Sequence, residues 1–206
     1  MGGIGIHAAN LAEYVTGLAI TDVCADLSSS VAGRLLDDDG TVLLRFNSGA
    51  QGTLQASQIS IGEENSLKLR VYGETASIEW SQLEPNSIWM RHSDKPSQLI
   101  RAGVGEMNAI TQANMRTPAG HPEGYLEAFA NIYTQFSYQI RNRIFANTSD
   151  INAISEAAMN DVPGIESAIR GMAFIENVVA ASQSEFKWHK FSLEPQSIAI
   201  PPSSTN

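Results

Sequence analysis

Two histidines stand at the mouths of two helices, and they are the side chains here best suited to acid–base chemistry. His7 lies in Gly3-Ile-Gly-Ile-His-Ala-Ala-Asn10, and His121 lies in Ala119-Gly-His-Pro-Glu-Gly-Tyr125. An unperturbed imidazole titrates at about 6.5, so it can take or give a proton near neutral pH. A helix start adds free N–H groups and a partial positive charge. A titratable ring aimed with a helix start at one point is how a small-molecule pocket is built. Asn10 sits one turn beyond His7 and can add a polar lining. Glu123 either lines such a pocket or simply favours the positive end of the helix dipole. Tyr125 faces either pocket or core, and His121 reads either as lining or as a cap. His92 and His189 have no comparable setting and read as surface residues.

Other chemistries are poorly served. No His, Cys, Asp and Glu cluster at ligand spacing accompanies the two histidines, so no metal site is expected. Serines are scattered and no nucleophile elbow is present, which argues against a Ser-His-Asp hydrolase. Gly3-x-Gly5-x-x-Ala8 matches a dinucleotide-binding pattern, with Asp22 or Asp26 near the acidic position. That pattern works only where a strand runs into the first glycine, and the two residues before Gly3 cannot make one. No alternating strand–helix pattern follows it either.

Composition narrows the field further. Thirteen basic and 22 acidic side chains give the 206 residues a net charge of −9. That field repels a phosphate backbone, so nucleic acid is not an expected partner. No apolar run approaches the roughly 20 residues that span a bilayer. The first residues lack the basic and apolar regions of a signal peptide. The single cysteine, Cys24, fits a reducing compartment and reads as a small packed residue. A cytoplasmic location is the expectation.

The elements that must position the histidines are legible from periodicity. A helix is expected from His7 to about Thr16, with Ala8, Leu11, Ala12 and Val15 on one face and Gly17 as its cap. A strand follows through Val23. Asp38-Asp-Gly40 reads as a hairpin turn. From Thr41 to Asn47, Val42, Leu44 and Phe46 alternate with Leu43 and Arg45, and Ser48-Gly49 turns the chain. Gln51 to Ser57, Ser66 to Tyr72, Ser77 to Trp80, Ser87 to Arg91 and Ser97 to Arg101 continue a meander. The polar face of these strands is either solvated or a sheet-on-sheet contact.

A helical half begins near Pro122, with Tyr125, Phe129, Ile132, Phe136 and Ile140 at helical spacing. Asn147-Thr-Ser149 matches a glycosylation triplet but reads as a turn. Asp161-Val-Pro-Gly164 is expected to cap another helix, striped by Ile165, Ile169, Met172, Ile175 and Val179. Lys187 to Phe191 reads as an edge strand. The fold class is α+β, an open, mostly antiparallel sheet with helices packed on one face.

These residues resemble a known family. Gly5-Ile-His-Ala-Ala-Asn-Leu-Ala12, Leu69-Arg-Val-Tyr-Gly-Glu74, Ile78-Glu-Trp80, Gly120-His-Pro-Glu-Gly-Tyr125 and Gly171-Met-Ala-Phe-Ile-Glu176 stand in the order found in the C-terminal domain of the Gfo/Idh/MocA oxidoreductases. Glucose–fructose oxidoreductase and inositol dehydrogenases belong to that group. The resemblance covers roughly residues 3 to 192. It implies that residues 1–194 form a substrate-binding and oligomerisation domain; residues 195–206 are Pro/Ser-rich and read as a flexible tail.

The cofactor half of such enzymes binds NAD or NADP and carries a Glu-Lys-Pro lysine. That triplet is absent here, and Asp94-Lys-Pro96 is only a loop lookalike. The resemblance therefore implies no cofactor site in this chain, NAD(P) for a longer parent, and no turnover by these residues alone. It implies that His7 hydrogen-bonds the reacting hydroxyl of a sugar or polyol and helps its proton leave. His121, Asn10, Tyr125 and Glu123 would contact the substrate. A homodimer or homotetramer through the open sheet face is implied. One departure stands out: the family's Asp-x-x-x-His acid is Gly3 here. Two other readings stay open, a stand-alone carbohydrate-binding or assembly module and an unrelated carbohydrate-active enzyme using His7 and His121.

Overall fold

A computed structural model describes residues 1–145 and 162–196. Among them are four helices, α1 (Gly5–Thr16), α2 (Ala109–Asn114), α3 (Tyr125–Phe145) and α4 (Ile165–Ser182). The eight strands are β1 (Ile20–Ser28), β2 (Asp39–Phe46), β3 (Gln51–Ser57), β4 (Lys68–Tyr72), β5 (Ala76–Ser81), β6 (Ser87–His92), β7 (Gln98–Arg101) and β8 (His189–Lys190). The α+β class and the open antiparallel pairing hold. The strands divide between two sheets, ordered β3-β2-β1-β8 and β4-β5-β6-β7. The chain forms two compact units, Met1–Glu64 with Gly164–Asn206, and Asn65–Pro163.

The first unit is built on the expected alternation. Val42, Leu44 and Phe46 are buried, while Leu43 and Arg45 are exposed. Gly49 turns the chain into β3 at φ +86°, a conformation favoured by glycine. In β1 the buried residues are Ile20 and Val23, three apart rather than two. The cause is a bulge: Ile20 pairs with Phe46 and Asp22 with Arg45, so Thr21 is the extra residue that flips the alternation. α1 and α4 cover the apolar face. Gly171 lets them approach closely, since a Cβ there would stand 2.9 Å from Ile6 Cδ1. Val23, Val42, Phe174 and Val178 make the dry centre. Each such side chain stabilises by about 1.5–3 kcal/mol when fully buried.

Several local readings change. Asp39 and Gly40 lie inside β2, paired with Ser28 and Leu27, so the turn is the longer segment 29–38. Asp38 holds that segment: its carboxylate accepts from the Ser30 and Val31 amides at 2.8 and 2.9 Å. Those backbone hydrogen bonds, first Ser30 and then Val31, depress its acidity constant below the usual carboxylate value. On α1 the buried residues are Gly5 and Ala9, and Val15 is exposed. On α4 the buried face is Ala173, Phe174, Asn177, Val178 and Ala181. Ile165, Ile169 and Met172 point out instead. An apolar stripe marks a face, but a small-residue stripe beside it packs closer to another helix. Gly164, not Asp161, caps α4; Asp161 and the 147–149 triplet lie outside the described residues. Gly17 caps α1 as expected, at φ 67°, and the edge strand near residue 189 pairs with β1.

The second unit is the β4–β7 meander with α2 and α3. Leu69 and Val71 alternate with Lys68, Arg70 and Tyr72 as expected. Glu79 on β5 bridges Arg70 and Arg91, both at 3.1 Å. The α2 helix has no counterpart in the periodicity; its signal is Asn108, whose side chain accepts from the Thr111 amide.

Candidate functional site

His7 and Asn10 occupy the exposed side of the first two turns of α1. Their spacing of three residues places them on neighbouring positions of one helix face. What fixes this helix is Glu13, a turn further on. Its carboxylate receives a fork from Arg170 of α4, at 2.7 and 2.6 Å, and the Ile20 amide at 2.6 Å. Arg170 also donates to the Ile20 carbonyl and lies 4.5 Å over the Phe191 ring. The hydrogen bond from the Glu13 carboxylate raises the Arg170 constant above its usual value. One carboxylate thus joins α1, β1 and α4. Sequence reasoning passed over it, because its partner lies 157 residues away.

A cavity of about 210 Å³ opens between α1 and α4 beside this clamp. Ile6, Ala9, Phe174 and Phe191 supply apolar wall, while Asn10, Glu13 and Arg170 supply polar groups. Apolar walls with a few placed polar groups are the usual build of a small-ligand cleft. Asn10 lines it; His7 is not among its lining residues.

The glycine pattern of residues 3–8 runs from a turn into α1. Residues 1–4 form a turn rather than a strand. The Met1 side chain fills the space where a Gly5 Cβ would stand, closing the face a pyrophosphate would approach. Position 3 differs. A Cβ on Gly3 would meet only the Gln58 side-chain amide, in ordinary contact at 3.6 Å.

His121, Glu123 and Tyr125 belong to the second unit and gather before and at the first turn of α3. Gly120, at φ +88°, allows the turn in which the His121 amide donates to the Pro118 carbonyl. The ring Nδ1 lies 3.1 Å from the same carbonyl. A carbonyl only accepts, so in this contact Nδ1 is the donor. Glu123 is engaged in a different way from either sequence reading. Its Oε1 accepts from the Arg116 and Thr117 amides, and its carbonyl accepts from Asn86 at 2.7 Å. Burial works to raise its constant, but the bonds from Thr117 and Arg116 prevail and hold it below the usual value. The acid serving the helix start is Glu127, which accepts from the Gly124 amide. Tyr125 is exposed and packs on Phe129, ring centres 4.8 Å apart. Among the described residues no group of three or more His, Cys, Asp or Glu side chains converges. No helix among them is long and apolar enough to cross a membrane.

Comparison with known proteins bears on this geometry. Residues 1–79 match the model of the GFO/IDH/MocA C-terminal domain. The chain is 29% identical over 195 residues to the uncharacterized oxidoreductase YfiI of Bacillus subtilis (strain 168), covering 93% of this chain and 48% of the relative. An oxidoreductase from Sinorhizobium meliloti is similar in structure, with a TM-score of 0.79, 39% identity, and coverage of 90% of this chain and 50% of that one. An inositol dehydrogenase homolog from Azotobacter vinelandii, complexed with NADH and myo-inositol, gives a TM-score of 0.79 at 25% identity, over 91% of this chain and 48% of that one. The chain spans about half the length of the relatives it matches.

Proposed function

We propose that this chain, a C-terminal domain of the Gfo/Idh/MocA oxidoreductases, is the substrate-binding and oligomerisation part of an NAD(P)-dependent enzyme acting on a sugar or polyol hydroxyl. The observation that carries this is the likeness, over 91% of the chain, to a homolog held with NADH and myo-inositol. Residues 1–194 act as that part. NAD or NADP is bound by a further half of the longer parent, since the glycine pattern here is closed by Met1. The parent works in the cytoplasm, a setting suited to the single cysteine, Cys24, of these 206 residues.

In this reading His7 receives the proton of the reacting hydroxyl at an imidazole nitrogen. Asn10 and His121 contact substrate hydroxyls. Tyr125 offers an apolar ring face to the substrate carbon skeleton. Glu123 acts through the loop it clamps, with its carboxylate committed to amides. Gly3 removes the family's acid, so His7 is oriented by the helix that Glu13 and Arg170 fix. Copies associate through the open face of the first sheet, where Thr41, Leu43 and Arg45 run beside Gln51, Thr53 and Gln55. Arg45 is preorganised there over Trp188, 4.0 Å from the ring.

The test is a longer protein containing these residues, assayed for NAD(P)-linked oxidation of myo-inositol and related polyols. His7→Ala should lower kcat by about 10²–10⁴, the usual worth of a general base. Micromolar binding of NADH to residues 1–206 alone, or turnover by them without cofactor, would overturn the reading. The absent acid at position 3 favours a second reading, a carbohydrate-binding or assembly module without catalysis. In that case polyol binding survives and His7→Ala changes no rate.

A further inference from the structure

His121 stands in a closed loop. The Glu123 carboxylate accepts from the Arg116 amide at 2.6 Å and from the Thr117 amide, so one side chain joins the two ends of residues 116–123. Inside that ring the Pro118 carbonyl faces both the amide and the Nδ1 of His121, at 3.1 Å each. Such a ring fixes its own shape, and its left-handed position is filled by a glycine, Gly120. The ring does not fix its own place in the unit. An exposed loop with few bonds to its neighbours opens readily.

Two side chains outside the closure supply those bonds. Arg116 reaches to α3, where its Nε donates to Asn131 Oδ1 at 2.8 Å and its Nη2 to Thr134 Oγ1 at 3.2 Å. Asn131 and Thr134 are three residues apart and so neighbours on one helix face. A planar guanidinium suits two acceptors held side by side. Both acceptors spend their own donors elsewhere: Asn131 donates to the Asn114 carbonyl at 2.8 Å and Thr134 to the Ala130 carbonyl at 2.7 Å. That leaves their oxygens to Arg116. The second tie runs to the sheet. Asn86, at the entry to β6, donates to the Glu123 carbonyl at 2.7 Å, and its own carbonyl accepts from the Ala102 amide at 2.9 Å. Gly103 then lies close under the loop, since a Cβ there would stand 3.1 Å from the Ala119 nitrogen.

We infer that Arg116 and Asn86 are positioning residues: they act through His121, by fixing where its loop presents the ring. Their effect on turnover rests on the reading of His121 as a substrate contact. The placement of the loop does not.

The test therefore has two arms. The first uses the 206-residue chain and needs no substrate. The nuclear Overhauser cross-peak between Gly103 Hα and the Ala119 amide should weaken by about threefold or more when Arg116→Ala and Asn86→Ala are combined, as a loosened loop samples open states. It should persist in His121→Ala. An unchanged cross-peak in the combined variant would overturn the positioning role, whatever the kinetics. The second arm uses the longer protein and its polyol oxidation. His121→Ala should raise KM by about tenfold with kcat within about twofold, the pattern of a lost binding contact. Arg116→Ala should give the same pattern, and should add nothing in a His121→Ala background. A rise that persists undiminished in that background would overturn the inference and leave His121 as a contact. An unchanged KM in His121→Ala would overturn the reading of His121, and with it any effect of the two ties on turnover; the cross-peak tells these failures apart.

Discussion

The two units contain four-stranded antiparallel sheets of similar make, yet only one has a dry core. Every buried hydrophobic residue described lies in the first unit. In the second, Gln135 is the one buried side chain among the described residues. The strands do not explain this contrast, because β2 and β4 both alternate cleanly. The difference lies in cover. The first sheet receives α1 and α4 on its apolar face, brought in by Gly171 and the Glu13–Arg170 clamp. The second has apolar positions that are only partly buried, such as Ile78, and a helix held by polar bonds. Alternation makes a sheet possible, but a closely packed second layer makes it stable.

This contrast can be tested most strongly by truncation. Phe174→Ala should destabilise the first unit by about 3–5 kcal/mol, as buried aromatic deletions do. Ile78→Ala in the second should cost less, about 1–2 kcal/mol, since its side chain is only partly buried. Residue-resolved amide exchange in graded urea reads both. Equal costs would show that the second sheet acquires a full core in solution. An effect between these two is expected from Asn177→Leu. Asn177 is fully buried, donates to the Ala173 and Ser192 carbonyls, and accepts from the Ser192 amide. Leucine leaves three backbone groups without that partner, at a cost of about 2–3 kcal/mol by urea unfolding. A neutral result would mean water replaces the amide.

The smallest effect belongs to the second unit and depends on pH. Glu123 has its constant depressed below the usual 4.5 by hydrogen bonds from Thr117 and Arg116. A depressed carboxyl adds stability above its unfolded constant and loses it as pH falls through the folded one. Glu123→Gln should therefore lower the unfolding midpoint at neutral pH. The gap should close on acidification from pH 4.5 downward. A gap independent of pH would show that the carboxylate charge is not what holds the loop.

Much of this could be read along the chain. The alternation of β2 to β4, the Gly17 cap and the Gly49 turn rest on local chemistry, and local chemistry is what a sequence displays. The Thr21 bulge was hidden because it depends on pairing with Phe46 and Arg45. The outward stripe of α4 misled because Ile165, Ile169 and Met172 have helical spacing whether or not a neighbour covers them. His7 and His121 stand out as candidates by their helix-mouth settings alone. Glu13, Arg170 and Asn177 do not, since their partners are distant in sequence or lie on another element. Glu123 was noticed for its charge, whereas its work is to receive two loop amides.

The first unit is discontinuous, its strands at the start of the chain and its covering helix near the end. On a ribosome this becomes a matter of time. Once β1 to β3 have emerged, about 100 residues must follow before α4 exists, or some 5–20 seconds at ordinary elongation rates. Through that interval the face of Val23, Val42, Leu44 and Phe46 has α1 but lacks the Phe174 and Val178 cover of α4. A nascent chain paused within the second unit is the form of this protein most prone to aggregate, and the form for which a chaperone matters most.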